Sequence, residues 1–207
     1  MSEKEKVLQQ ISEIKSHLID RDTFFPYNYN ACYVWSIIAM FLTLGMVSMY
    51  ELSIILGVIS TAFLMIFGFI IEGRLTEKIN NDYDIDEFTK RQQFIKKFFF
   101  ILTLFLILLS SVLATYKLYA VIYLSWLFFI SLGYNILGFI LNIQRFKIVS
   151  EFNMITALIL LGVGAFFNLL IGSSTLFLTI LQGVLLLGLT ALPAWVAWHQ
   201  KKVECGV

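Results

Sequence analysis

Two histidines, two cysteines and one run of spaced carboxylates are the residues most suited to chemistry here. Hydrolysis or group transfer needs a positioned nucleophile, a base, or a metal held by converging His and carboxylate ligands. His17 and His199 lie at opposite ends of the chain. His199, next to Trp198, reads as an interfacial anchor, and His17 as a solvated helix residue. Cys32 and Cys205 have no metal or redox spacing, and two cysteines cannot make a disulfide framework. Only two residues follow Cys205, so the C-terminal prenylation pattern fails as well. No catalytic residue and no cofactor is expected; the chain does not read as an enzyme.

Asp82-x-Asp84-x-Asp86 opens like a calcium loop, in which oxygen ligands alternate around a sharp turn. The sixth position of that loop needs glycine and the twelfth a bidentate glutamate. Here they are Glu87 and Gln93. The stretch therefore reads as a solvated helix start, with no metal site.

The remaining candidates are uncharged. Asn168 and Gln182 fall at similar depth on two neighbouring apolar segments, and Asn135 lies deeper on a third, beside Tyr134. They are the expected substrate-binding residues if a solute passes through the protein. The competing role is interhelical hydrogen bonding, worth about 0.6 kcal/mol each in membrane proteins.

The elements that hold these residues are apolar blocks. The chain of 207 residues is 59% hydrophobic and 14% charged. Soluble domains run about 45–50% and about 25%. Spans of about 20 apolar residues cross a bilayer. Six are expected, near 33–49, 53–71, 98–115, 120–141, 153–171 and 175–198, pairing as three hairpins. The fold class is all-α: a polytopic membrane protein of six transmembrane helices. Three regions follow. Residues 1–30 form an N-terminal amphipathic helix and interfacial segment, 31–198 the transmembrane domain, and 199–207 a tail. Absence of a short apolar segment before a small-residue site predicts no cleavable leader.

Six spans place fourteen of the fifteen Lys and Arg residues on one side and leave Lys117 on the other. The positive-inside rule makes that side cytoplasmic, with both termini there. The expected location is the plasma (inner) membrane. A net charge of +1 offers no field for nucleic acid.

Residues 72–97 gather twelve of the 29 charged residues. Asp84 and Glu87 have near capping-box spacing. Asp86–Lys90 and Glu87–Arg91 are acid-first i,i+4 pairs, each worth about 0.2–0.5 kcal/mol to a helix. A helix from Asp84 running unbroken into the third span is expected, forming a cytoplasmic helical hairpin with the extended second span. In the N-terminal segment Val7, Ile11, Ile14 and Leu18 repeat as a short a/d seam. Its acids outnumber its bases, so protein contact suits it better than anionic lipid.

With the spans cut this way, no Asp, Glu, Lys, Arg or His falls inside one. Proton relays and voltage sensors use such residues, so neither is expected. Pro193 should kink the inner end of the sixth span, with Thr190 helping to satisfy the freed backbone. Two functions remain. One is a small channel or uncoupled permease, acting as a homo-oligomer because six short spans enclose little space. The other is a membrane subunit or regulator. It would hold a cytoplasmic protein through Lys90, Arg91, Lys96 and Lys97 of the hairpin and Ile11 and Leu18 of the N-terminal helix.

Overall fold

The computed structural model describes residues 28–82, 88–171 and 175–204. Every regular element in it is a helix. α1 spans Tyr29–Leu52, α2 Ile54–Asp82, α3 Lys90–Thr115, α4 Tyr119–Ile140 and α5 Gln144–Phe166. The last apolar stretch is composite: α6 (Thr175–Leu185), a π-helical turn at Leu186–Ala191, and α7 (Leu192–Glu204). Six helices are long and apolar enough to cross a membrane, counting Thr175–Lys201 as one, which fits an integral membrane protein. The expected seam residues Ile11 and Leu18, and the Asp84–Glu87 cap, lie outside the described residues.

Large apolar side chains face outward and small or polar ones inward. On α2 the exposed residues include Ile55, Ile59, Phe63, Ile66 and Ile70, whereas Gly57, Thr61, Met65, Gly68, Thr76 and Asn80 are buried. Lipid tails solvate Leu and Phe as well as a protein core does. Small residues are therefore reserved for helix contacts, where they let backbones approach. Gly68 shows the need: a Cβ there would come within 2.8 Å of the Trp35 ring. α1 packs along α2, α4 along α5, and the π turn and α7 close on α1. A buried core around Leu106, Tyr123, Leu127 and Leu181 joins α3, α4 and α6.

Helix starts and stops differ from expectation in two places. α3 begins at Lys90, not near Asp84, because Thr89 is its N-cap, with extended backbone (φ −64°, ψ 158°). Thr89 Oγ1 accepts from the Gln92 N–H at 3.3 Å, and Gln92 Oε1 accepts from the Thr89 N–H at 3.1 Å. A complete Thr-x-x-Gln capping box satisfies two end donors at once. The helix is therefore not continuous from Asp84. Asp86 and Glu87, the acidic members of the expected i,i+4 pairs, lie outside the described residues.

The second difference is α5, which starts at Gln144 and ends at Phe166, several residues earlier at both ends than the apolar run suggests. Its end is a Schellman turn: Asn168 takes φ 55°, and the Leu169 N–H donates to the Gly164 carbonyl at 2.8 Å. Lys117 and Asn142 end α3 and α4 in the same way, at φ 56° and 54°.

The expected break at Pro193 takes the form of the π turn immediately before it. Widening to a π turn leaves carbonyls in need of donors, and three side chains answer. Thr190 Oγ1 donates to the Leu186 carbonyl, Asn153 Nδ2 to that of Gly188 at 2.9 Å, and Ser36 Oγ to that of Thr190 at 3.0 Å.

Candidate functional site

The inward stripe of α2 carries one more residue than apolar-run length suggests. Gly68, Glu72, Thr76 and Asn80 follow at four-residue steps, which place them on one helix face. The second helix continues past the expected span end at Ile71, as its extended apolar stripe suggested, and Glu72 stands one residue beyond that end on the same helix. Trp35 Nε1 on α1 donates to Glu72 Oε2 at 2.9 Å, and Trp35 packs edge-on against Phe69 with centroids 4.9 Å apart.

Glu72 lines a cavity of about 70 Å³ in the interior of this single chain. By the usual measure of about 10–15 Å³ per water, that is room for roughly five waters or one small molecule. On α1 the lining runs from Cys32 to Met46, about 20 Å of helix rise. α2 contributes Met65 and Glu72, α3 Phe99 and Thr103, α4 Trp126 and Tyr134, and the last stretch Leu185 and Leu189. Leu189 belongs to the π turn, so the π-helical part of the final stretch forms one wall. A second, smaller cavity of about 30 Å³ adjoins it, lined by Asn28, Thr76, Gln92 and Lys96. Phe69, Glu72 and Ile95 line both.

Hydrogen bonds bracket the main cavity. At the level of Thr43, Tyr123 OH donates to the Thr43 carbonyl at 2.8 Å and Gln182 Nε2 donates to Tyr123 OH at 3.0 Å. Trp126 Nε1 donates to Ser110 Oγ at 2.9 Å. Beyond Glu72, Asn28 Nδ2 donates to Thr76 Oγ1 at 3.3 Å. Asn80 and Gln92 exchange two side-chain bonds of 2.9 and 2.8 Å between α2 and α3. Within the cavity Thr103 differs: it is 4% exposed, and its hydroxyl has no hydrogen-bond partner. Buried polar atoms in native proteins are almost always partnered, and Thr103 is a cavity-lining residue whose hydroxyl has no partner among the described residues.

The three expected substrate residues are not brought together, and none lines a described cavity. Asn135 Nδ2 donates to Ser150 Oγ at 3.1 Å, tying α4 to α5. Asn168 is the exposed left-handed residue that ends α5. Gln182 contacts the Tyr123–Thr43 bond just described. Lys90, Lys96 and Lys97 are exposed along the first turns of α3, and Arg91 is partly buried there. Lys96 Nζ lies 5.3 Å from the centre of the Phe88 ring. Glu72, Trp35, Asn153 and Thr103 are the residues that sequence reasoning passed over. The four-residue stripe on α2 was the signal for Glu72. Thr103 carried none, because a hydroxyl in an apolar helix usually bonds its own backbone.

Comparison with known proteins finds no family model, no curated protein and no solved structure that matches this chain.

Proposed function

We propose that this protein is a small-solute permease without ion coupling, and not an enzyme. The carrying observation is the cavity inside one chain, walled by five helices and a π turn, with a carboxylate at one end. A second copy is not needed to build this path. The positive-inside rule makes the Glu72 end cytoplasmic. Solutes would enter past Glu72 and Phe69. Release on the other side requires the Tyr123–Gln182–Thr43 bonds to open, and a π turn is a common site of such local rearrangement.

The test is flux into vesicles containing the purified protein, with a panel of small neutral, cationic and anionic solutes. Protein-dependent entry of at least one class is expected. It should be lost in Ala39→Phe, which places a ring in the cavity that Ala39 lines. If entry never exceeds that of protein-free vesicles, or if folded Ala39→Phe transports normally, the permease reading fails.

One observation favours a second reading, a subunit or regulator with a cytoplasmic partner. The Asn80–Gln92 clasp stiffens the α2–α3 end where Lys90, Lys96 and Lys97 are exposed. Charge reversal at these lysines would abolish co-purification of such a partner and leave solute flux intact.

A further inference from the structure

The lining of the cavity carries a chemistry that a generic conduit does not need. Among the described residues its one charged group is the Glu72 carboxylate. One oxygen takes the Trp35 N–H; the other accepts no side-chain hydrogen bond from a described residue. The nearest candidate counter-ion, Lys96, acts on Glu72 through space but makes no direct bond to it; it lines neighbouring pockets and sits over the Phe88 ring. Glu72 is partly buried, and a carboxylate among apolar walls is costly unless something cationic or strongly hydrogen-bonding joins it.

Along its length the cavity walls are aromatic. Trp35, Phe69, Phe99, Trp126 and Tyr134 come from four different helices. They include two edge-to-face pairs: Trp35–Phe69 at 4.9 Å and 71°, and Phe99–Tyr134 at 6.2 Å and 64°. Aromatic faces attract cations through the ring quadrupole, most effectively when the cation holds its water weakly.

A hard inorganic cation fits badly. It asks for six or more oxygen ligands, whereas the side chains of this cavity supply one carboxylate and a few hydroxyls. Of these, the Thr43 hydroxyl already donates to the Ala39 carbonyl at 2.7 Å. Anions are repelled by Glu72, and a neutral hydrocarbon would leave the carboxylate desolvated and unpaired.

We infer that the cavity binds a small organic cation of the substituted-ammonium class, with its charged head among the rings beside Glu72. A hydroxyl or carbonyl on its other end would meet the orphan Thr103 hydroxyl. The site stands on the lining alone; that its occupant is also a transported solute rests on the permease reading.

The test compares choline with its uncharged isostere 3,3-dimethylbutan-1-ol on the purified full chain in detergent. Calorimetry and quenching of tryptophan fluorescence follow binding, since Trp35 and Trp126 line the site. Saturable choline binding at least tenfold tighter than the isostere is expected. Glu72→Gln keeps an acceptor for Trp35 and should remove that preference. Should that variant not fold, Phe99→Leu weakens one wall and should lower choline affinity without affecting the isostere equally. Equal binding of the two molecules, no binding of choline, or an unchanged preference in folded Glu72→Gln overturns the inference. Vesicle flux of neutral solutes without choline binding would sink the cation site and leave the permease. Choline binding without flux of any solute would do the reverse.

Discussion

The Asn80–Gln92 pair, with its two reciprocal bonds of 2.9 and 2.8 Å between buried amides, supports a quantitative double-mutant test. Gln92→Leu strands the Asn80 amide, which is 3% exposed. An unsatisfied buried amide costs about 1–3 kcal/mol, and a lost ordinary bond about 0.5–1.5 kcal/mol. Gln92 also accepts from the Thr89 N–H. Its replacement should therefore cost about 2–4 kcal/mol in all. Asn80→Leu leaves Gln92 still bonded to Thr89 and should cost less, about 1–3 kcal/mol. The double variant has no stranded amide left, so it should be more stable than the sum of the singles by at least about 1 kcal/mol. Unfolding by SDS titration in mixed micelles, followed by circular dichroism, measures all four proteins. Additivity within about 0.5 kcal/mol would refute the pairing. The consequence reaches beyond stability, because this clasp fixes the end of the helix that carries Glu72.

Asn153→Leu should leave the Gly188 carbonyl of the π turn without its donor, lowering stability in the same titration by about 1–2 kcal/mol. Asn168→Gly should be neutral or slightly stabilising, and Asn168→Ile should cost about 1–2 kcal/mol, since a β-branched residue resists φ 55°. If Asn168→Gly instead abolished vesicle flux with folding intact, the residue would have a solute role beyond ending α5. Trp35→Phe keeps a ring against Phe69 but removes the donor to Glu72. The expected loss is about 1.5–3 kcal/mol, as for hydrogen bonds to charged groups, and a smaller loss would place the carboxylate in water.

The helical architecture was legible because a bilayer imposes a minimum apolar length, and six stretches satisfy it. Pro193 and Thr190 signalled a break in the sixth. That the break would be a π turn supported by Asn153 and Ser36 was not legible, since those donors come from helices distant in sequence. The start of α3 was written in Thr89-Lys-Arg-Gln92, a complete capping box overlooked in favour of an acidic near match. Glu72 was missed for a definite reason. Counting apolar run length ends the second span at Ile71, whereas the register of small and polar residues continues through Glu72 to Asn80. In a membrane helix that register marks the buried face better than hydropathy does. Conversely, Asn135, Asn168 and Gln182 drew notice as polar residues in apolar surroundings. Each contributes a local hydrogen bond, and sequence has no means of separating a bond to a neighbouring helix from a bond to a solute.

Cys32 gives the most direct test of the central claim, that a solute-accessible cavity inside one chain ends at Glu72. The chain has two cysteines, so Cys205→Ser leaves Cys32, which lines that cavity, as the single thiol. Cationic and anionic methanethiosulfonate reagents would be applied to each side of vesicles containing this variant. Slow modification in the native state from the Glu72 side is expected, faster for the cationic reagent, with the charge preference lost in Glu72→Gln. A thiol that reacts only after the protein is unfolded in SDS would contradict it.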